Sequence, residues 1–210
     1  MINNYNYQAN ANIQCLVEDP EYKERKEALF LISHHFDKEN VKWSLACSMN
    51  LFLRGIVDEF HDLDLIVDIN DIDKIQKIME KLGAILVGTG GNGYCESDKY
   101  MHFQLGRIDI DIISGFRVIT FGTKFVYNFN INELEYIEIE HVKIPLVSME
   151  AMYILYSMME GWQPKRRYKR ILIEEFLLRE EIQFNAILKR ALKENLPGWI
   201  RRNIREILNE

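Results

Sequence analysis

Two acids two residues apart, Asp62 and Asp64 in the run HDLDLIVD, are where this sequence first suggests chemistry. Side chains at i and i+2 of an extended strand share a face, so such a strand holds two carboxylates side by side and turns Leu63, Leu65 and Val67 to the buried face. Adjacent carboxylates repel unless something positive lies between them. Mg²⁺ takes oxygen ligands and is commonly held by one or two carboxylates together with substrate phosphates, which suits this pair. A second run, RIDIDIIS at 107–114, again spaces its acids, Asp109 and Asp111, by two, with Ile108, Ile110 and Ile112 on the core face. Metal-assisted phosphoryl transfer needs a third carboxylate near the first two, to hold a second metal or to take the proton of an attacking hydroxyl. Either Asp109 or Asp111 is available for it.

The elements around these acids read as strand, helix, strand. Val41 to Cys47 is a short apolar strand, Ser48 to Arg54 a short helix stopped at Gly55, and the Asp62/Asp64 strand follows. Ser48 is a natural N-cap. The same helix start, with its free N–H groups and a hydroxyl, is also suited to face phosphates. A helix over Ile72 to Leu82, stopped by Gly83, and a strand over Ala84 to Val87 complete a β-α-β-α-β order typical of α/β or α+β domains with one sheet. The loop bearing Gly88, Gly90, Gly91 and Gly93 lacks the Lys-Ser/Thr pair of a P-loop. Two hairpins follow, Tyr100 to Gln104 with Ile108 to Ile113, and Tyr136 to Val147.

Upstream, a frayed segment is expected to about residue 17, then a helix from Asp19 to Phe36 with Pro20 in its first turn and Ala28, Leu29, Ile32 and Phe36 on one stripe. His34 and His35 end it and, pointing different ways, form no shared metal site. Downstream, helices are expected over Met149 to Glu160, Arg166 to Arg179, Ile182 to Glu194 and Gly198 to Leu208, with Pro197 marking the last boundary. This divides the chain into residues 1–147 and a helical part, 148–210, with a ligand cleft expected between them.

Composition bounds the reading. With 210 residues, 48% of them hydrophobic, and only 4 Pro and 11 Gly, the chain is an ordinary globular protein. It has no run of about 18 apolar residues and its polar start has no signal-peptide pattern, so the expected location is the cytoplasm, without membrane contact. Cys15, Cys47 and Cys95 show no CxxC spacing and read as reduced thiols. The net charge of −6 speaks weakly against a large nucleic-acid footprint. Basic residues nonetheless gather at Lys165, Arg166, Arg167, Lys169 and Arg170, as a solvated helix face or a phosphate clamp. His61, His102 and His141 read as packing or surface residues, and Trp162 as core or as a stacking surface.

Cys47-Ser48, the helix with Asn50 and Gly55, and the Asp62-Leu63-Asp64 strand together resemble the nucleotidyltransferase superfamily that includes DNA polymerase beta, the minimal nucleotidyltransferases and the aminoglycoside and lincosamide nucleotidyltransferases. The similarity covers roughly residues 40–180, and its specific part is the DxD block. It implies an α+β fold, a mixed sheet with flanking helices followed by a C-terminal helical subdomain. It also implies Mg²⁺ or Mn²⁺ at Asp62, Asp64 and Asp111, with Asp109 as the alternative third acid. An NTP donor would have its phosphates near Cys47 and Ser48, with Lys165 or Arg167 offsetting charge on the leaving pyrophosphate. The implied acceptor is a hydroxylated small molecule of antibiotic type. Macromolecular acceptors (tRNA or protein) and a non-catalytic binding protein are the alternatives, with a monomer or homodimer as the working form. Two positions depart from the pattern: Cys47 stands where the family usually has Gly, and Tyr168 near where many relatives have an acid.

Overall fold

The computed structural model describes residues 4–90, 95–120, 122–161, 163, 166–179 and 184–210. In chain order the elements are α1 (Asn4–Glu18), α2 (Lys23–Lys38), β1 (Trp43–Leu45), α3 (Cys47–Leu53), β2 (Leu63–Val67), α4 (Ile72–Lys81), β3 (Ile85–Thr89), β4 (Cys95–Glu96), β5 (Lys99–Leu105) and β6 (Ile108–Ser114). They continue with β7 (Arg117–Thr120), β8 (Thr123–Val126), β9 (Leu134–Ile139), β10 (Val142–Val147), α5 (Met149–Glu160), α6 (Arg166–Arg179), α7 (Asn185–Ala191) and α8 (Gly198–Leu208).

These elements group into two compact units. The first takes the described residues within Met1–Gly90, Ser97–Gly115 and Phe129–Val147. Its sheet has seven strands in the order β3-β5-β6-β2-β1-β10-β9. The sheet is mixed, because β2 runs parallel to β6 and β1 parallel to β10 while the other neighbours are antiparallel. Parallel neighbours require crossovers, which the helices between the strands supply. Leu63, Leu65, Ile110, Ile112, Ile144 and Leu146 from the central strands are wholly or almost wholly buried, as are Leu29, Ile32 and Phe36 on the inner stripe of α2. This is the α+β architecture expected, with helices flanking a mixed sheet.

The N-terminus departs from expectation. Instead of fraying, Asn4–Glu18 is helical. Its apolar residues alternate with Asn and Gln as far as Cys15 instead of recurring at helical spacing, and what fixes it is non-local. The Asn12 amide donates to the backbone carbonyls of Phe52 and Val57, at 2.8 and 2.9 Å, and Leu16 is fully buried. Gly55, at φ +70°, permits the approach: a Cβ there would stand 2.5 Å from the Ala9 amide nitrogen. Pro20 lies in the turn before α2 rather than in its first turn, and α2 continues past His34 and His35 to Lys38.

The second unit takes the described residues within Gly91–Glu96, Phe116–Asn128 and Ser148–Glu210. It holds α5 to α8 and a small antiparallel sheet, β4-β7-β8, that the sequence pattern does not announce. Helix α5 is its buried axis, with Met152, Tyr153, Ile154, Leu155, Tyr156 and Met158 all at 1% exposure or less. Ser148 caps it by accepting from the Ala151 amide. Among the described residues no helix is long and apolar enough to cross a membrane.

Candidate functional site

Strand pairing brings the acids together. In the parallel pair β2/β6, Asp64 is the register partner of Asp111. Asp62 falls one residue before β2, at the end of the loop that enters it, and not within the strand as its spacing predicts. It nevertheless joins the other two: one ligand oxygen from each of Asp62, Asp64 and Asp111 lies within 4.8 Å of the others, with all three residues half-buried. Leu63, Leu65 and Val67 are 0 to 1% exposed, which is the apolar side of the alternation that presents the acids. Asp109 is two residues earlier on β6, exposed and outside this cluster, with Oδ1 3.4 Å from His102 Nε2.

Helix α3 is tied to the same strands. The Ala46 amide donates to the Asp64 carbonyl at 2.8 Å, joining the start of α3 to the acid-bearing strand. Fully buried Asn50 donates to the carbonyls of Leu45, at 3.3 Å, and Val147, at 2.8 Å, and its own Oδ1 accepts from Arg54, which in turn pairs with Glu135 at 2.7 Å. These bonds fix the orientation of a helix only seven residues long. Ser48 does not cap it. The cap position is Ala46, without a side-chain bond, because the helix begins at Cys47, two residues earlier than a cap at Ser48 would place it. The Ser48 hydroxyl instead donates to Asp62 Oδ1 at 3.3 Å. Cys47 has φ +49°, in the left-handed region where glycine is at ease and other residues are strained.

Two further residues reach this site from β5. On β5, antiparallel to β6, His102 is the register partner of Asp111, and Tyr100 shares its face. His102 Nδ1 lies 2.7 Å from Asp111 Oδ1, and the Tyr100 hydroxyl donates to the same oxygen at 2.8 Å. Burial, the bond to Asp111 and then the charges of Asp111, Asp64 and Asp62 push the Tyr100 phenol well above its ordinary range. The available signal was the alternation in KYMHFQL, where Tyr100 and His102 interleave with buried Met101 and Phe103. Which acid they would face depends on the register with the next strand. His61, which reads as a packing or surface residue, is exposed ahead of β2, and its carbonyl accepts from Arg25.

Of the basic candidates, Arg167 is described, and it belongs to the other unit. Arg167, on α6, is 67% exposed, with Nε 3.5 Å from Glu160 Oε1. Tyr168 is 66% exposed. Lys165 and Trp162 lie outside the described residues.

The donor set at the first site is three carboxylates, without sulfur or imidazole. Hard oxygen ligands of this kind fit Mg²⁺ or Mn²⁺ and not the softer metals that prefer thiolate.

No protein-family model matches the chain, and no curated protein does. Solved structures do, and the fold they share with it is that of the nucleotidyltransferases. A Thermotoga maritima protein assigned as a nucleotidyltransferase superposes with a TM-score of 0.57 at 22% identity, covering 74% of this chain and 95% of its own. The enzyme ANT(2'')-Ia, in complex with adenylyl-2''-tobramycin, does so with a TM-score of 0.52 at 14% identity, covering 79% and 97%. The solution structure of the same antibiotic-resistance factor gives 0.51 at 16% identity, covering 78% and 90%.

Proposed function

We propose that this chain is a Mg²⁺- or Mn²⁺-dependent nucleotidyltransferase, which moves a nucleoside monophosphate from an NTP to a hydroxyl of a small acceptor and releases pyrophosphate. The observation that carries the proposal is the convergence of Asp62, Asp64 and Asp111 within 4.8 Å. When bound, the cation neutralises triphosphate charge and polarises the phosphoryl group under attack. Asp62 and Asp64 hold it, and Asp111 either completes the set or takes the acceptor's proton. Ser48 and neighbouring amides contact the outer phosphates. The acceptor oxygen attacks the α phosphorus, the bond from that phosphorus to the bridging oxygen breaks, and the electron pair leaves on pyrophosphate. The adenylylated aminoglycoside held by ANT(2'')-Ia supports a hydroxylated, antibiotic-like molecule as the acceptor class. The charge-offsetting roles of Lys165 and Arg167 and a cytoplasmic location rest on sequence alone.

The test is calorimetric titration with nonhydrolysable ATP, GTP, CTP and UTP analogues, with and without Mg²⁺, on the wild type and on Asp62→Asn/Asp64→Asn. Metal-dependent binding in the wild type, lost in the variant, is expected, and it names the donor for an acceptor screen. Absence of binding to all four makes a non-catalytic binding protein the better reading.

A further inference from the structure

We propose that Tyr100 and His102 are positioning residues that hold Asp111 as a cation ligand, an inference that rests on the metal-dependent reading above. Both donors converge on one atom. The Tyr100 hydroxyl lies 2.8 Å and His102 Nδ1 2.7 Å from Asp111 Oδ1. A carboxylate oxygen has two lone-pair sites, and with Asp111 ionised these bonds occupy both of them on Oδ1. That leaves Oδ2, which takes part in neither bond, to serve a cation beside Asp62 and Asp64. Hydrogen bonds to a carboxylate are short and strong, so the pair fixes the rotation of the carboxylate about its Cβ–Cγ bond.

Asp111 needs such a restraint. It faces two other carboxylates across the cluster, and mutual repulsion favours rotamers that turn it away from them. The donors are themselves anchored. They alternate with Met101 and Phe103, at 5% and 0% exposure, and the far side of the His102 ring has Nε2 3.4 Å from Asp109 Oδ1. Asp109 thus has a place in the arrangement, two steps from the cluster, on the ring that orients Asp111. Removing partners of this kind from a metal ligand weakens metal binding about 10- to 100-fold.

The experiment is Mn²⁺ titration of the full-length protein, read by loss of the free-ion electron paramagnetic resonance signal, so that no turnover is needed. The proteins are the wild type, Asp62→Asn/Asp64→Asn, Tyr100→Phe, His102→Leu, Tyr100→Phe/His102→Leu and His102→Asn. The last places an amide N–H where the imidazole Nδ1–H was. The wild type should bind Mn²⁺ and lose it in the Asp62/Asp64 variant. The Tyr100/His102 double variant should bind at least about tenfold more weakly, with His102→Asn restored to within about threefold of the wild type. A rescue by Asn that Leu does not give is not expected of a residue that merely packs. Wild-type affinity in the double variant overturns the positioning role and leaves the metal site standing. A wild type that binds no Mn²⁺ overturns both.

Discussion

At the residue scale, Cys47 and Ser48 show how local geometry recasts a motif. The resemblance marks position 47 as one that relatives fill with glycine, and the backbone there does adopt φ +49°. The conformation there suits glycine, yet the residue carries a side chain. A left-handed non-glycine residue costs roughly 1–3 kcal/mol, and a β-branched one costs more. Cys47→Val is accordingly expected to destabilise the protein by about 1–2 kcal/mol in urea unfolding. Cys47→Gly should stay within about 1 kcal/mol of the wild type, since relief of strain and greater backbone freedom of the unfolded chain oppose each other. Ser48, by donating to Asp62 rather than capping α3, belongs with the acids. Asp64→Asn carries the sharpest consequence for chemistry: nucleotidyl transfer should fall by about a thousandfold while the far-ultraviolet circular dichroism stays unchanged. An unaltered rate would remove the metal assignment.

At the element scale, α1 and α5 illustrate two ways of holding a helix. Helix α1 depends on a bare backbone at Gly55, where a methyl group would meet main-chain atoms of Gln8 and Ala9 and φ is +70°. Gly55→Ala should destabilise the protein by about 2 kcal/mol or more and strip hydrogen-exchange protection from α1 before the rest of its unit. Helix α5 depends on burial, which also leaves a titration signature. Burial, then the charge of Glu174, pushes the Tyr153 phenol up to about 12 from 10.0. Between those values the folded protein retains a proton that the unfolded chain has lost. Stability from this group is therefore intact below about pH 10 and declines as pH rises through 12. Tyr153→Phe should flatten that decline in thermal melts, by up to about 2–3 kcal/mol at its limit.

At the scale of the whole molecule, three carboxylates gathered at one place oppose stability when nothing neutralises them. Three carboxylates within 4.8 Å repel. In chelator, Asp64→Asn is expected to raise Tm by about 2–4 °C, as roughly 1 kcal/mol does for a chain of this size, and in Mg²⁺ it should lack the upward shift expected of the wild type. A lower Tm in chelator would mean that the acids are net structural. Much of this molecule was legible beforehand. Alternation showed Leu63, Leu65 and Val67 as core and Asp62 and Asp64 as outward, and helical spacing, with Gly83 as one stop and Pro197 as the last boundary, placed α4 and the last helices within a few residues, because these patterns are written over neighbouring positions. Helix α1 was not legible, because its anchors, the carbonyls of Phe52 and Val57, lie some forty residues away. Nor was it legible that Asp111, and not Asp109, clusters with Asp62 and Asp64, or that Tyr100 and His102 both reach Asp111. The sequence by itself determined which residues share a face. The tertiary structure alone decided which faces meet, since the register of β2 against β6 and of β6 against β5 is set by packing between strands far apart in the chain, and a shift of one residue would turn each acid away from its partners.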